Sequence, residues 1–189
     1  MSVDAERECW ELRSGAGVGP LRFGMSPAAV ADALGVSGPQ ARPGGPYAQE
    51  DFPGGVKAFY DAGMLACVAL DAVTGPQVFL AGFPLAGSDL EEGEQFLLDH
   101  AAEHGNCLLY TPDDSLSLTD VGVLLRSQQV GTARLTRPLF VKEEWLESEY
   151  FRDHLPMEGT SPRPPASETI RVPVSPDAPT SGWRRAASP

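Results

Sequence analysis

The chain has 189 residues, of which 42% are hydrophobic and 21% charged, with 20 glycines and 18 prolines. This length suffices for one domain with its own hydrophobic core and a tail. The formal net charge is −12, which excludes a free-standing nucleic-acid binder, because phosphates need neutralising by Lys and Arg. No apolar run approaches the roughly 18 residues of a membrane-spanning helix, so we expect no membrane partner.

Cysteine usage and the first residues favour a cytoplasmic location. Cys9, Cys67 and Cys107 are odd in number and widely spaced, and without a Cys-x-x-Cys pair they predict neither a disulfide framework nor a zinc ribbon. Residues 1–8 are acidic and lack the apolar centre of a secretory signal. We also expect no cofactor and no metal, and the sequence leaves the oligomeric state open.

A change of composition near residue 156 divides the chain. The last 34 residues contain eight prolines and too little apolar surface to offset the entropy of ordering. We expect an N-terminal segment at 1–14, one domain at 15–155 with candidate halves 15–80 and 81–155, and a disordered Pro-rich tail at 156–189. Residues 1–155 hold 23 acidic and 10 basic residues, a net of −13, so the acidity belongs to the domain.

The first half predicts one helix and one hairpin. Ser26 suits an N-cap and Pro27 the first helical position, so we expect a short helix at 28–34 that ends at Gly35. A Gly/Pro-rich loop should follow at 37–55.

The hairpin should pair the apolar runs 56–60 and 64–70 through the turn Asp61-Ala62-Gly63, where glycine allows positive φ.

The second half predicts a strand, a helix and further strands. A strand is expected at 77–81. The run Ser88-Asp89-Leu90-Glu91 matches a capping box with Ser88 as N-cap, and the helix should end near His104, before Gly105. The remaining expected elements are strands near 108–111, 116–119, 121–125 and 130–136, and an amphipathic helix at 140–155.

These elements predict an α+β fold: an antiparallel sheet with a few short helices. The two candidate N-caps, Ser26 and Ser88, are 62 residues apart, and the turns at 61–63 and 120–122 are 59 apart. Similar spacings favour a duplicated α–β–β unit. Chance similarity in a Gly-rich chain is the alternative, and the sequence alone leaves both open.

One stretch resembles a known family. Gly19-Pro20-Leu21-Arg22-Phe23-Gly24-Met25-Ser26, together with the hairpin at 59–63, resembles small bacterial outer-membrane assembly lipoproteins of the BamE/SmpA-like fold. It is also similar to uncharacterised actinobacterial proteins with a Gly-Pro-Leu-x-Phe-Gly-Met-Ser start, some of them candidate immunity proteins beside polymorphic toxins. The resemblance spans residues 15–72 and implies a helix followed by an antiparallel sheet.

The candidate interaction surface lies near the end of the domain, where acidic side chains alternate with aromatic ones. Aromatic residues within an acidic rim suit a basic protein partner; the alternative is an ordinary helix with buried aromatics and a solvated face. The predicted surface consists of Glu143, Glu144, Trp145, Glu147, Glu149 and Asp153.

A second pattern, His100-Ala101-Ala102-Glu103-His104, spells the inverted zinc-peptidase motif. Two histidines one turn apart could share a zinc ion, with Glu103 as general base. Imidazoles near a helix C-terminus are also favoured by the helix dipole alone. We therefore predict no catalytic residue from this motif.

The sequence thus favours a non-enzymatic, acidic protein-binding module, with an immunity protein that neutralises a basic toxin as its specific form. One alternative is a small-ligand or regulatory domain with a groove between sheet and helices. The other is a metal-dependent hydrolase that uses His100, Glu103 and His104.

Overall fold

In a computed structural model the described residues are 7–37, 40–42, 48–111, 114–142, 144 and 171–172. Within them the chain forms fifteen strands and two helices. The strands are β1 (Cys9–Trp10), β2 (Leu12–Arg13), β3 (Gly17–Val18), β4 (Leu21–Arg22), β5 (Gln40–Arg42), β6 (Ala48–Phe52), β7 (Val56–Asp61), β8 (Met64–Leu70), β9 (Gln77–Leu80), β10 (Phe83–Pro84), β11 (Leu108–Tyr110), β12 (Leu116–Leu118), β13 (Val123–Val130), β14 (Ala133–Val141) and β15 (Arg171–Val172). The helices are α1 (Pro27–Ala33) and α2 (Leu90–His104).

Nine strands form one antiparallel sheet in the order β15-β11-β12-β13-β14-β8-β7-β6-β5. Each half of the chain runs through a helix and then four strands, and the last strands of the two halves, β8 and β14, pair at the centre. The pairs are Leu139 with Ala69, Phe140 with Val68, and Val141 with Cys67. The predicted α+β class with a mainly antiparallel sheet is therefore confirmed.

Two three-stranded sheets accompany the large one. In the first, β9 lies between a parallel β1 and an antiparallel β10. In the second, β2, β3 and β4 form two successive tight hairpins. These strands bring Trp10, Val18, Leu21 and Val78 into the main core, each at most 7% exposed. Part of the predicted N-terminal segment is thus built into the domain.

The first helix and hairpin form as the sequence predicts. The hydroxyl of Ser26 accepts a hydrogen bond from the amide of Ala29 at 3.3 Å, and Pro27 occupies the first helical position. The β7–β8 turn places Ala62 and Gly63 at φ of 47° and 77°. Two successive positive φ angles match the right-handed twist of the paired strands.

The predicted loop at 37–55 is wrong, because β5 and β6 form there at the edge of the sheet. The sequence of β6 is Ala-Gln-Glu-Asp-Phe, which is polar and carries little strand propensity. It pairs with β7 along its whole length, from Ala48 opposite Tyr60 to Phe52 opposite Val56. The partner strand, rather than local preference, makes this segment extended.

Helix α2 begins one residue later than the capping-box pattern indicates. Asp89 is the N-cap, and its carboxylate accepts hydrogen bonds from the amides of Glu91 and Glu92 at 2.9 and 3.4 Å. The hydroxyl of Ser88 instead donates to the carbonyl of Pro84 at 2.7 Å. The predicted end is confirmed, with Gly105 at φ 67° as a left-handed C-cap.

The strands after α2 form, with shifted bounds. β13 begins at Val123 and continues to Val130, so it is longer than predicted, and β14 extends to Val141. The predicted helix at 140–155 is therefore wrong at its first two residues, Phe140 and Val141, which are buried strand residues at the centre of the sheet. Apart from Lys142 and Glu144, the remainder of that prediction lies outside the described residues.

The turns that match in sequence are not equivalent in the fold. The turn at 61–63 joins the third and fourth strands of its half, whereas 120–122 joins β12 to β13, the second and third strands of the other half. β15 lies within the predicted tail and pairs with β11 at the edge of the sheet. The rest of the tail lies outside the described residues.

The main core lies between the sheet and α2, and Gly93 allows their close approach. A Cβ at position 93 would lie 2.5 Å from Cγ2 of Thr136 on β14 and 3.3 Å from Cδ1 of Leu125. Leu97 and Ala101 of α2 are fully buried against the same strands.

We expect Gly93→Ala to lower the free energy of unfolding by roughly 1–3 kcal/mol through overpacking, although alanine is the better helix former. Thr136→Ser removes Cγ2 and keeps Oγ1, which accepts from the amide of Ser88 at 2.9 Å. In that background Gly93→Ala should cost much less in urea titrations. An equal loss of unfolding free energy in the wild-type and Thr136→Ser backgrounds would contradict the close contact between positions 93 and 136.

Candidate functional site

The surface predicted from the sequence lies almost entirely outside the described residues. Of its six members only Glu144 is described: it is exposed and forms an ion pair with Lys142, with Nζ and Oε2 2.7 Å apart. An exposed pair of this kind contributes little to stability. Glu143, Trp145, Glu147, Glu149 and Asp153 remain a prediction.

The strongest concentration of exposed charge in the described part of the chain lies on α2. Its sequence, Leu-Glu-Glu-Gly-Glu-Gln-Phe-Leu-Leu-Asp-His-Ala-Ala-Glu-His, contains no Lys or Arg. The buried stripe of Leu90, Gly93, Leu97, His100 and Ala101 packs inward. The exposed carboxylates are those of Asp89, Glu91, Glu92, Asp99 and Glu103. We refer to these five residues as the acidic face.

A row of aromatic rings borders the acidic face. Phe83 of β10 stacks on Phe96 with ring centroids 4.3 Å apart and planes 9° apart. Phe96 contacts His100 at 5.7 Å, and His100 stacks on His104 at 4.1 Å. The last three rings are four residues apart, so one side of α2 aligns them. We refer to these four residues as the aromatic row.

The sequence contains a signal for most of this row but not for all of it. Spacings of four residues between Phe96, His100 and His104 place them on one side of any helix. Phe83 was not predicted to be part of a site, because it lies in a two-residue strand outside α2, and only the folded chain stacks its ring on Phe96.

The two histidines stack on each other. Nδ1 of His104 lies 2.9 Å from the carbonyl oxygen of His100, so one nitrogen of that ring is engaged by the helix backbone. His100 is 9% exposed, and burial, aided by the neighbouring His104, lowers its pKa against the opposing effect of Glu103. Within the described residues no three His, Cys, Asp or Glu side chains are grouped to hold a metal ion.

A half-buried carboxylate lies at the side of α2. Burial raises the pKa of Glu94, which the positive charge of Arg134 opposes and the carboxylate of Glu91 reinforces. The pKa of Tyr110 is also raised, by burial first and then by the charge of Glu94. Glu94 therefore belongs to the edge of the packed interface rather than to the acidic face.

Comparison with protein families, with curated sequences and with solved structures found no match to this chain.

Neither helix in the described part of the chain is long and apolar enough to cross a membrane.

The lowered pKa of His100 predicts a pH effect on stability. Because the folded state binds the proton less readily than the unfolded chain, the contribution of His100 to stability falls as pH drops below about 6.5. His100→Phe keeps an aromatic ring in the row and removes the titration. We expect the free energy of unfolding of this variant to fall less than that of the wild type between pH 7.5 and 5, measured by urea denaturation.

Phe83→Leu is the control, because it alters the same row at the ring that stacks on Phe96 rather than on His100 and changes no titratable group. Its difference from the wild type should be the same at both pH values. Parallel pH profiles for wild type and His100→Phe would show that His100 is not responsible.

Proposed function

We propose that the protein is a non-enzymatic binding module that docks a basic partner protein on the acidic face of α2 and its aromatic row. The observation that carries this proposal is the exposed face itself: a helix of 15 residues without Lys or Arg carries four exposed carboxylates, and its N-cap Asp89 adds a fifth. A helix of this length extends about 22 Å, which is long enough to contact a partner along several helical turns.

Helix stability accounts for only part of this charge. Asp89, Glu91 and Glu92 lie in or before the first turn, where the positive end of the helix dipole favours carboxylates. Glu103 lies in the last turn, where the same dipole disfavours an anion. A role outside the helix explains an acid at that end better than helix formation does.

The arrangement supplies both parts of a protein-binding surface. Carboxylates accelerate the encounter with a positively charged partner. Aromatic side chains contribute most of the binding energy in many interfaces, and the row of Phe83, Phe96, His100 and His104 offers four adjacent rings. As a finer proposal, the partner is a basic toxin and the protein its cytoplasmic immunity factor, consistent with the resemblance of residues 15–72.

The alternative of a small-ligand domain gains nothing from the interface between α2 and the sheet. Leu97, Ala101, Leu125 and Phe140, each at most 1% exposed, fill the interface there. The hydrolase alternative gains no support either, because no third His, Cys, Asp or Glu of the described residues is grouped with His100 and His104 to hold a metal ion.

The charge-reversal variant Asp99→Lys/Glu103→Lys tests the acidic face. Both side chains are exposed, and lysine near the C-terminal end of a helix is favoured by the dipole, so folding should be preserved. We expect the association rate with a basic partner to fall at least about tenfold at low salt, measured by biolayer interferometry with the proteins encoded by neighbouring genes.

Glu8→Lys/Asp32→Lys is the matched control, with the same change in net charge at two exposed positions outside α2. It should retain most of the rate. Equal losses of association rate in both variants would show that the net charge of the protein, rather than the acidic face, determines the rate. Failure of every basic neighbour to bind the wild-type chain at low salt would reject the proposed function.

A further inference from the structure

The face of the nine-stranded sheet that lies opposite α2 is buried across most of its width. Paired residues of an antiparallel sheet point to the same face. One continuous row of pairs runs from β11 to β8 and is at most 6% exposed throughout. Its members are Leu109, Ser117, Leu124, Leu139 and Ala69. We call this surface the second face.

A neighbouring row extends the burial toward β6. Val141 pairs with Cys67, Cys67 with Phe59, and Phe59 with Gln49. The first three are fully buried and Gln49 is 2% exposed. The apolar cluster on this face consists of Phe59, Ala66, Cys67, Ala69, Leu124, Leu139 and Val141. All seven lie in β7, β8, β13 or β14, so no described residue from outside the sheet joins the cluster.

A sheet face cannot exclude water from its own large side chains. Side chains stand roughly perpendicular to the sheet, so a phenylalanine or leucine on an open face keeps its end in water. Complete burial of Phe59, Leu124 and Leu139 therefore requires a covering layer, as in packed two-layer structures. β8 leads to the same conclusion: residues 65–70 are all buried in succession, which is typical of a strand covered on both faces.

The path of the chain identifies what can cover it. The chain leaves β14 beside β8, where the amide of Lys142 donates to the carbonyl of Ala66 at 3.1 Å. Its next described strand, β15, lies beyond β11 at the edge of the sheet, about 19 Å from β14 across four strand spacings. On the other face α2 packs against β12, β13 and β14. The described strands on either side of the 26 residues 145–170, β14 and β15, thus lie at the centre and at one edge of the same sheet.

Charges on the second face match that segment. Arg126 and Arg137 are directly paired and half-buried, and like charges in opposite positions are unfavourable without an anion nearby. Lys57 of β7 lies on the same face, opposite Ala69, and forms an ion pair with Asp51 at 3.5 Å. The segment 145–170 contains five acidic residues and two arginines, a local negative charge opposite a local positive one.

We propose that residues 145–170 of this same chain pack on the second face. Trp145, Tyr150 and Phe151 of the segment supply apolar area against the cluster around Phe59, and its carboxylates lie toward Arg126 and Arg137. The acidic stretch that the sequence predicts as a partner surface then stabilises the fold instead. The proposal depends on the sheet and stands whether or not α2 binds a partner.

Photo-crosslinking in the full-length protein identifies the occupant. The photoreactive residue p-benzoylphenylalanine replaces Arg137 on the second face, or Phe79 as the control, which is 47% exposed on β9. We expect intrachain crosslinks from position 137 to peptides within 145–170, and none of these from position 79. Crosslinks to a second chain, to another segment, or to nothing would each overturn the proposal.

Cys67 provides an independent readout, because it is a fully buried thiol on the second face. In a Cys9→Ser/Cys107→Ser background its reaction with a water-soluble disulfide reagent reports on the cover. Replacing Trp145, Tyr150 and Phe151 by serine should raise the rate at least about tenfold, whereas Trp183→Ser, beyond β15, should leave it unchanged.

An unchanged rate in the triple variant, with circular dichroism equal to that of the parent, would overturn the proposal. Loss of the folded state in that variant would move the decision to the crosslinks, which are formed in a chain that keeps all three aromatic residues.

Discussion

The pairing of β8 with β14 is the contact on which the rest of the structure depends. Three residue pairs join the two halves of the chain there; without them the large sheet would separate into four strands on one side and five on the other. Val68 and Phe140 face the core, while Cys67 and Val141 face the opposite side. A seam between strands buried on both faces gains apolar contacts from two layers at once.

The same seam explains how the charge of −12 is distributed. Strands buried on both faces have few positions for ionised side chains, so the carboxylates are displaced to helices, turns and the chain ends. On α2 they form an exposed face beside aromatic rings, which suits a basic partner. After β14 a second acidic stretch begins, and the strands β13 and β14 that precede it carry the directly paired Arg126 and Arg137. Two acidic segments of similar composition thus acquire different proposed roles from their positions in the fold.

Local chemistry was enough to predict the start of α1, the end of α2 and the turn of the central hairpin. Ser26 and Pro27 start α1, Gly105 ends α2, and Ala62-Gly63 closes the central hairpin, each through interactions within a few residues. Prediction was wrong where two neighbouring residues both suit the same cap, or where the local sequence has little preference for the conformation that forms. Ser88 and Asp89 are both good N-caps, and the hydrogen bond from Ser88 to the Pro84 carbonyl leaves the cap to Asp89. The polar β6 becomes a strand because it pairs with β7 along its whole length.

The candidate site divides in the same way. Sequence spacing alone places Phe96, His100 and His104 on one side of a helix and shows that α2 is acidic, since both follow from helical geometry. Only the tertiary structure brings Phe83 onto that row and buries His100. Likewise, the continuous apolar run of β8 follows from the sequence, but which strand it would pair with, and that both of its faces are buried, depends on contacts between residues about 70 positions apart. Local sequence determines backbone conformation because its interactions are short in range; the seam, the stacked row and the two covered faces depend on packing between distant segments, which only the folded chain specifies.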